Sequence, residues 1–142
     1  MKNTFKNITE NDKVYVLYRI LHRKKPTTFI YRILRPTKSL TISQHISFDR
    51  MYDLHGVIIE SNEELPVIGT ETSVRVTNNC VDKAVCRWGA VSIILNPTKE
   101  EIEAEKIRML AKNFHAINHS MLKLEQTCLF IINFLLQPTT AF

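Results

Sequence analysis

The sequence predicts an α+β fold: an antiparallel β-sheet of about five or six strands, one short helix in the middle and a long C-terminal helix against the sheet. Segments rich in β-branched and aromatic residues, separated by turn residues, fill residues 1–96. Residues 98–137 contain no proline or glycine, and their apolar residues recur at helical spacing. We therefore expect a single domain, mainly β over residues 1–96 and helical over 97–137.

The first two strands are predicted as a hairpin. Residues 13–23 and 27–35 are rich in Val, Ile, Tyr and Phe, which favour strands. The intervening Lys24-Lys25-Pro26 indicates a turn, because proline fixes φ and cannot donate a ladder hydrogen bond.

The middle of the chain alternates strand and turn signals. We expect a third strand at residues 40–46 and a short helix over 47–54, with Ser47 as its N-cap and Gly56 as its stop. Further strands are expected at residues 57–59, 72–77 and 84–95. In the last of these Gly89 suggests a β-bulge.

The C-terminal helix begins with a capping box, in which Thr98 accepts from a first-turn amide and Glu101 reaches back. Within the helix, apolar residues are spaced alternately by three and four positions, which makes an unbroken heptad seam. The seam comprises Ile107, Leu110, Phe114, Ile117, Met121, Leu124, Cys128, Ile131 and Leu135.

The length of this helix makes the seam difficult to bury within one chain. About forty residues span about 60 Å, whereas a domain of this size has a diameter of about 37 Å. The helix either breaks near residues 115–120 and folds over the sheet, or pairs with another chain. We expect a homodimer through the seam, since closed twofold dimers are the commonest assembly; a different protein partner is the third alternative.

The charge of the chain is unevenly distributed. Residues 1–38 hold ten Lys and Arg and two acids, for a net charge of +8. The remaining residues hold nine basic and twelve acidic side chains, for −3, and the two parts sum to the +5 of the whole chain. Such an asymmetry indicates an anionic partner on the N-terminal side.

The hairpin carries the candidate anion-binding residues. A turn at residues 24–27 places Arg19 opposite Arg32, where a bridging phosphate or carboxylate would relieve the repulsion. Tyrosines among the cations suit stacking on bases. Alternatively, acids elsewhere neutralise the arginines while the tyrosines pack in the core. The predicted site comprises Arg19, Arg23, Lys24, Lys25, Arg32, Arg35, Tyr18 and Tyr31.

Enzymatic and metal sites find little support. The three glycines lie far apart, so no glycine-rich phosphate loop exists and no cofactor is expected. Cys80, Cys86, His115 and His119 offer zinc-like donors, but five residues separate the cysteines where two to four are usual. Cys86 or Cys128 beside a histidine would be a nucleophile only if accessible, and both fall in apolar segments.

The cellular setting is predicted from what the sequence lacks. It shows no signal peptide, and its most apolar stretch, residues 128–136, is too short to span a membrane. The odd number of cysteines suggests a reducing compartment. We expect a cytoplasmic, non-enzymatic homodimer whose basic hairpin engages nucleic acid or a nucleotide; the alternative is a small inhibitor or adaptor directed at another protein.

Overall fold

The computed structural model describes residues 3–19, 28–43, 50–112 and 131–133. The chain divides into two compact units, Met1–Glu105 and Lys106–Phe142. The first unit contains a curled antiparallel sheet and the beginning of a 14-residue helix, which confirms the α+β class.

The described residues contain seven strands in one sheet, one more than the upper end of the prediction. In chain order they are β1 Val14–Arg19, β2 Phe29–Pro36, β3 Thr41–Ile42, β4 Met51–Ser61, β5 Glu71–Thr77, β6 Val85–Trp88 and β7 Val91–Leu95. Every pairing between them is antiparallel. Short 3-10 turns lie at Phe5–Asn7 and Asn78–Cys80.

The longest strand, β4, organises one half of the sheet. Along one edge it pairs with β5, and along the other it pairs first with β3 and then with β2. From β2 the sheet continues through β1 and β7 to β6. The sheet therefore has β5 and β6 as its outer strands, and these are consecutive in the chain.

Two local predictions in this region are wrong. The helix expected over residues 47–54 is a strand where it is described, since residues 51–54 begin β4; residues 44–49 lie outside the described part. The cause is long-range pairing with β5, which starts at Met51↔Thr77 and overrides the local helical signal. Gly56 does not stop a helix: it lies within β4.

The strand expected over residues 84–95 is a hairpin of two strands. Trp88 pairs with Val91, so Gly89 and Ala90 form a two-residue turn. Gly89 has a φ of +59°, the conformation that hairpin turns of this length require at their first central residue. It is a turn residue and not the predicted bulge.

One face of the sheet encloses the hydrophobic core. The buried residues on this face come from nearly every strand and from the N-terminal 3-10 turn: Phe5, Ile8, Val14, Val16, Leu34, Leu54, Ile58, Val76, Cys86, Ile93 and Leu95. Strand β1 is buried on both faces, because Tyr15 and Leu17 on the opposite face are also almost inaccessible. The hairpin predicted as a ligand-binding arm thus contributes a central strand of the fold.

The N-terminal segment is tied to the end of β7. Asn96, whose φ of +47° lies in the left-handed region, accepts from the backbone amide of Lys13 at 2.7 Å and donates to Asp12 at 2.9 Å. Asp12 also accepts from Asn3 and from the backbone amide of Thr9. These bonds outweigh the effect of burial, so the pKa of Asp12 is lower than usual although burial alone would raise it.

Helix α1 covers residues 99–112. Thr98 accepts a hydrogen bond from the backbone amide of Glu101 at 3.1 Å, as the predicted cap requires, and its hydroxyl donates to the Glu101 carboxylate at 3.3 Å. In the second unit, residues 106–112 and 131–133 are helical. Whether one helix joins them is not described, since residues 113–130 lie outside the described part. Among the described residues, no helix combines the length and apolar character needed to cross a bilayer.

Candidate anion-binding hairpin

Strands β1 and β2 form the predicted antiparallel hairpin, with Arg19↔Phe29 as the last pair before the connection. The sequence places a strongly basic segment, including Arg23, Lys24 and Lys25, between these two strands. Those three predicted anion-binding residues lie outside the described part of the chain. The structure describes the other five: Tyr18, Arg19, Tyr31, Arg32 and Arg35.

The predicted pairing of Arg19 with Arg32 is wrong. Arg32 pairs with Val16 and Arg19 pairs with Phe29, a register shifted by three residues. Because side chains alternate between faces along a strand, the odd shift puts the two guanidinium groups on opposite faces of the hairpin. A single phosphate bridging this pair is therefore excluded. The error arose from assuming a tight turn, whereas residues 20–28 separate the two last paired positions.

Arg32 lies on the same face as Tyr18. Its guanidinium carbon is 5.4 Å from the centroid of the Tyr18 ring, in a cation–π arrangement. It also forms an ion pair with Glu63 at 3.8 Å. Burial raises the pKa of Tyr18, and the nearby positive charge of Arg32 acts in the opposite direction. The Arg32 Nε is buried without a hydrogen-bond partner among the described atoms.

Two other tyrosines stack on the opposite face. The rings of Tyr15 and Tyr31 are nearly parallel, with centroids 5.3 Å apart. The Tyr31 hydroxyl donates to Glu60 at 3.1 Å, which raises the pKa of Tyr31. Burial, followed by the nearby Tyr31, Glu60 and Glu103, raises the pKa of Tyr15 to about 12. This stack therefore belongs to the packing of the sheet.

Asn62 fixes the outer end of β2. Its side-chain carbonyl accepts from the backbone amide of Tyr31 at 2.9 Å, and its amide donates to the backbone carbonyl of Phe29 at 3.0 Å. Together with the bond from the Asn62 backbone amide to the Tyr31 carbonyl, the side chain continues the β2–β4 pairing beyond Ser61. The bonds of Asn62 therefore hold the start of β2, the strand at which the basic connection ends.

Part of the predicted anion-binding site is already engaged by an acidic residue or by aromatic packing within the sheet. Arg32 has its counterion in Glu63, and Tyr18 and Tyr31 are engaged in ring contacts within the sheet. Arg35 is exposed, on the opposite face from Arg32. The cationic character of this end of the molecule therefore rests on Arg35 and on the basic segment between the strands.

The sequence analysis missed an ion pair between the buried Glu105 and the half-exposed Arg87 on the outer face of β6 and β7. Glu105 accepts from Arg87 and, at 2.6 Å, from the Ser92 hydroxyl. The hydrogen bond with Glu105, only partly offset by burial, raises the pKa of Arg87. A usable signal existed: Ser92 is a polar residue within the otherwise apolar Val91–Leu95, and a buried hydroxyl needs a partner.

No zinc site is seen in the part of the chain that is described, where no group of three or more His, Cys, Asp or Glu side chains could hold an ion. Cys80 and Cys86 do lie close together, since the Thr77 hydroxyl is 3.2 Å from one sulfur and 3.7 Å from the other. Burial raises the pKa of the Cys86 thiol, which disfavours the nucleophilic thiolate. His115, His119 and Cys128 lie outside the described residues.

Three seam residues can be located. Ile107 is 66% exposed and Ile131 is 50% exposed, while Leu110 is half-buried. The remaining six predicted interface residues, Phe114, Ile117, Met121, Leu124, Cys128 and Leu135, lie outside the described part.

Comparison with known proteins identifies no relative: no protein-family model, curated protein or solved structure matches the chain.

Proposed function

We propose that the protein is a non-enzymatic binding protein whose basic β1–β2 hairpin engages an anionic partner, nucleic acid or a nucleotide, and that it acts as a homodimer. The observation that carries the proposal is the distribution of charge. Residues 1–38 have a net charge of +8 and the rest of the chain has −3. A potential of this sign attracts phosphates and accelerates encounter with polyanions.

The basic segment between the strands supplies most of the binding in this account. Arg32 is already compensated by Glu63, whereas Arg23, Lys24 and Lys25 follow one another in a sequence with no acid between Asp12 and Asp49. The rigid pairing of β1 with β2 and the Asn62 hydrogen bonds hold both ends of this segment. Phosphate contacts from it would be independent of base sequence.

The dimer is supported by the exposed seam. Ile107 and Ile131 are large β-branched side chains at seam positions, and each is at least half exposed in the single chain. Burying such a side chain contributes about 1.5–3 kcal/mol. Pairing through the seam would bring two basic hairpins into one particle and so raise the effective affinity for a long polyanion.

A charge-neutralised variant tests the binding role. Fluorescence polarisation of a labelled single-stranded oligonucleotide would compare the wild type with the triple substitution R23Q/K24Q/K25Q. The matched control K83Q/K99Q/K112Q removes the same three charges at exposed positions outside the hairpin. We expect at least a tenfold loss of affinity for the hairpin variant and a much smaller loss for the control. Equal losses would show that only net charge matters.

A second function, recognition of another protein, is supported by a different observation. In the β4–β5 loop Leu65, Val67 and Ile68 are each at least 60% exposed, next to Glu63 and Glu64. Large apolar side chains grouped on a surface are typical of protein-binding sites. A pull-down from a nuclease-treated lysate separates the two functions, because only a protein target survives the treatment.

A further inference from the structure

A cleft of about 420 Å³ lies between the end of β5 and the end of β6. This volume is within the range of about 300–1,000 Å³ of small-molecule sites. Among the lining residues that the structure describes, two are arginines and one is a tryptophan, and none is acidic. The lining comprises Arg50, Met51, Thr77, Asn78, Asn79, Arg87 and Trp88.

The positive charge of the cleft comes from Arg50, because the charge of Arg87 is balanced by its ion pair with Glu105. Arg50 is exposed. Arg87 forms its ion pair with Glu105 through Nε and Nη2, so the Nη1 side of the guanidinium takes no part in that pair. The Arg87 side chain is 52% exposed while that of Glu105 is 5% exposed. The buried carboxylate therefore fixes the orientation of the guanidinium, and the guanidinium is the solvent-exposed member of the pair.

The aromatic group is Trp88, the last residue of β6 before the turn at Gly89. It is 48% exposed although it is the largest apolar side chain in the chain. An indole half open to solvent offers a flat surface on which a planar ring can stack. The strand and the two-residue turn that follows it restrict the position of this surface.

Polar groups complete the lining. Asn78 and Asn79 are exposed residues of the 3-10 turn that follows β5, and each carries both a donor and an acceptor. Thr77 contributes less, since its hydroxyl already donates to Cys80 at 3.2 Å. The cleft thus combines a cation for an anion, a ring for stacking and amides for the polar edge of a base.

We propose that this cleft binds a small ligand that joins a planar heterocycle to a phosphate group, a nucleoside monophosphate being the simplest member of the class. Arg50 holds the phosphate, Trp88 stacks on the ring, and the two asparagine amides contact its edge. The site is separate from the basic segment of the hairpin, and the inference does not rest on the function proposed for that segment.

Intrinsic fluorescence provides a direct assay, because Trp88 is the only tryptophan in the chain. Titration with AMP and with UMP should quench or shift its emission in a saturable manner. Adenosine, which lacks the anion, and inorganic phosphate, which lacks the ring, should each bind at least tenfold more weakly. Absence of a saturable response to either nucleotide at millimolar concentrations, or equal affinity for AMP and adenosine, would overturn the proposal.

Variants locate the binding. Arg50→Gln and Asn79→Ala should each weaken AMP affinity, the former by about tenfold, which is the effect of losing one charge-assisted contact. Arg75→Gln, an exposed substitution on β5 outside the cleft with the same loss of charge, should leave AMP affinity within about twofold. The hairpin variant R23Q/K24Q/K25Q should also leave AMP affinity within about twofold of the wild type. If Arg75→Gln weakens AMP binding as much as Arg50→Gln does, the ligand is not in the cleft.

Discussion

The carboxylate of Glu105 accepts hydrogen bonds from Nε and Nη2 of Arg87, each at 3.0 Å. Ser92, which pairs with Arg87 across β6 and β7, donates to the same carboxylate. Three bonds thus join the helix to the outer face of the sheet at a position where Glu105 is nearly inaccessible. The pair also orients the guanidinium that lines the β5–β6 cleft.

Replacing this carboxylate should destabilise the protein. Glu105→Gln retains the shape but leaves Arg87 without its counterion, and we expect the free energy of unfolding to fall by about 2–3 kcal/mol. Chemical denaturation measures this change in the free energy of unfolding. Glu100→Gln, an exposed neutralisation in the first turn of the same helix, should cost less than about 1 kcal/mol. Equal losses for the two variants would mean that the pair between Glu105 and Arg87 contributes nothing to stability.

Asp12 should make stability depend on acid pH. Its native pKa is lowered, so its contribution is present above the unfolded carboxyl pKa of about 3.9 and is lost as pH falls through the lower native value. Asp12→Asn should therefore be less stable than the wild type by about 2 kcal/mol at neutral pH. The difference between the two proteins should narrow below about pH 4.

The control for this pH profile is Asp82→Asn, a substitution at an exposed position. Denaturation curves collected between neutral and strongly acidic pH should show no such narrowing for it. A stability difference between the wild type and Asp12→Asn that persists unchanged into strong acid would contradict the role assigned to the carboxylate.

Gly56 is required by close packing between strands. A Cβ added there would lie 2.9 Å from the Arg35 backbone oxygen and 3.1 Å from the Leu34 Cβ. Because the first of these is a backbone atom within a paired strand, Gly56→Ala should lower the free energy of unfolding by about 1–3 kcal/mol. Ser73→Ala, exposed on the adjacent strand β5, should change it by less than about 0.5 kcal/mol. Indistinguishable melting of the two variants would refute this account.

The seam should determine the mass of the particle in solution. Light scattering of the wild type is expected to give twice the chain mass of 16.5 kDa, and Ile107→Glu should shift the population toward the monomer, since it places a charge in an apolar interface. Lys112→Gln makes the same change in net charge at an exposed position of the same helix and should remain dimeric. A wild type that is monomeric at all concentrations would remove the dimer from the proposal.

Local sequence patterns correctly predicted the strands that are specified by their own residue composition. The β1–β2 hairpin and the strand over residues 72–77 follow from β-branched and aromatic content, and Thr98 caps the helix as its spacing predicts. The start of β4 was read as a helix because its stability comes from β5, more than twenty residues away along the chain. Gly89 was recognised as special, but whether a glycine bends or reverses a strand depends on the pairing beyond it.

In the candidate anion-binding site too, residue types could be predicted from the local sequence, whereas long-range contacts could not. Its residue types were correctly read as cations among aromatic rings, and the alternative in which acids and packing engage them holds for Arg32, Tyr15 and Tyr31. The register of the β1–β2 pairing could not be predicted from the sequence, and a register shift by an odd number of residues exchanges the two faces of a strand. Nothing local to residues 13–35 could reveal that Glu60 and Glu63 pack against them.

The most direct test of the proposed function is the salt dependence of oligonucleotide binding by the wild-type protein. If the basic segment contacts three to five phosphates of a single strand, the logarithm of the association constant should fall linearly with the logarithm of salt concentration, with a slope of about −2 to −3.5. A slope near zero, or no complex even at low ionic strength, would contradict the assignment of the hairpin to an anionic partner.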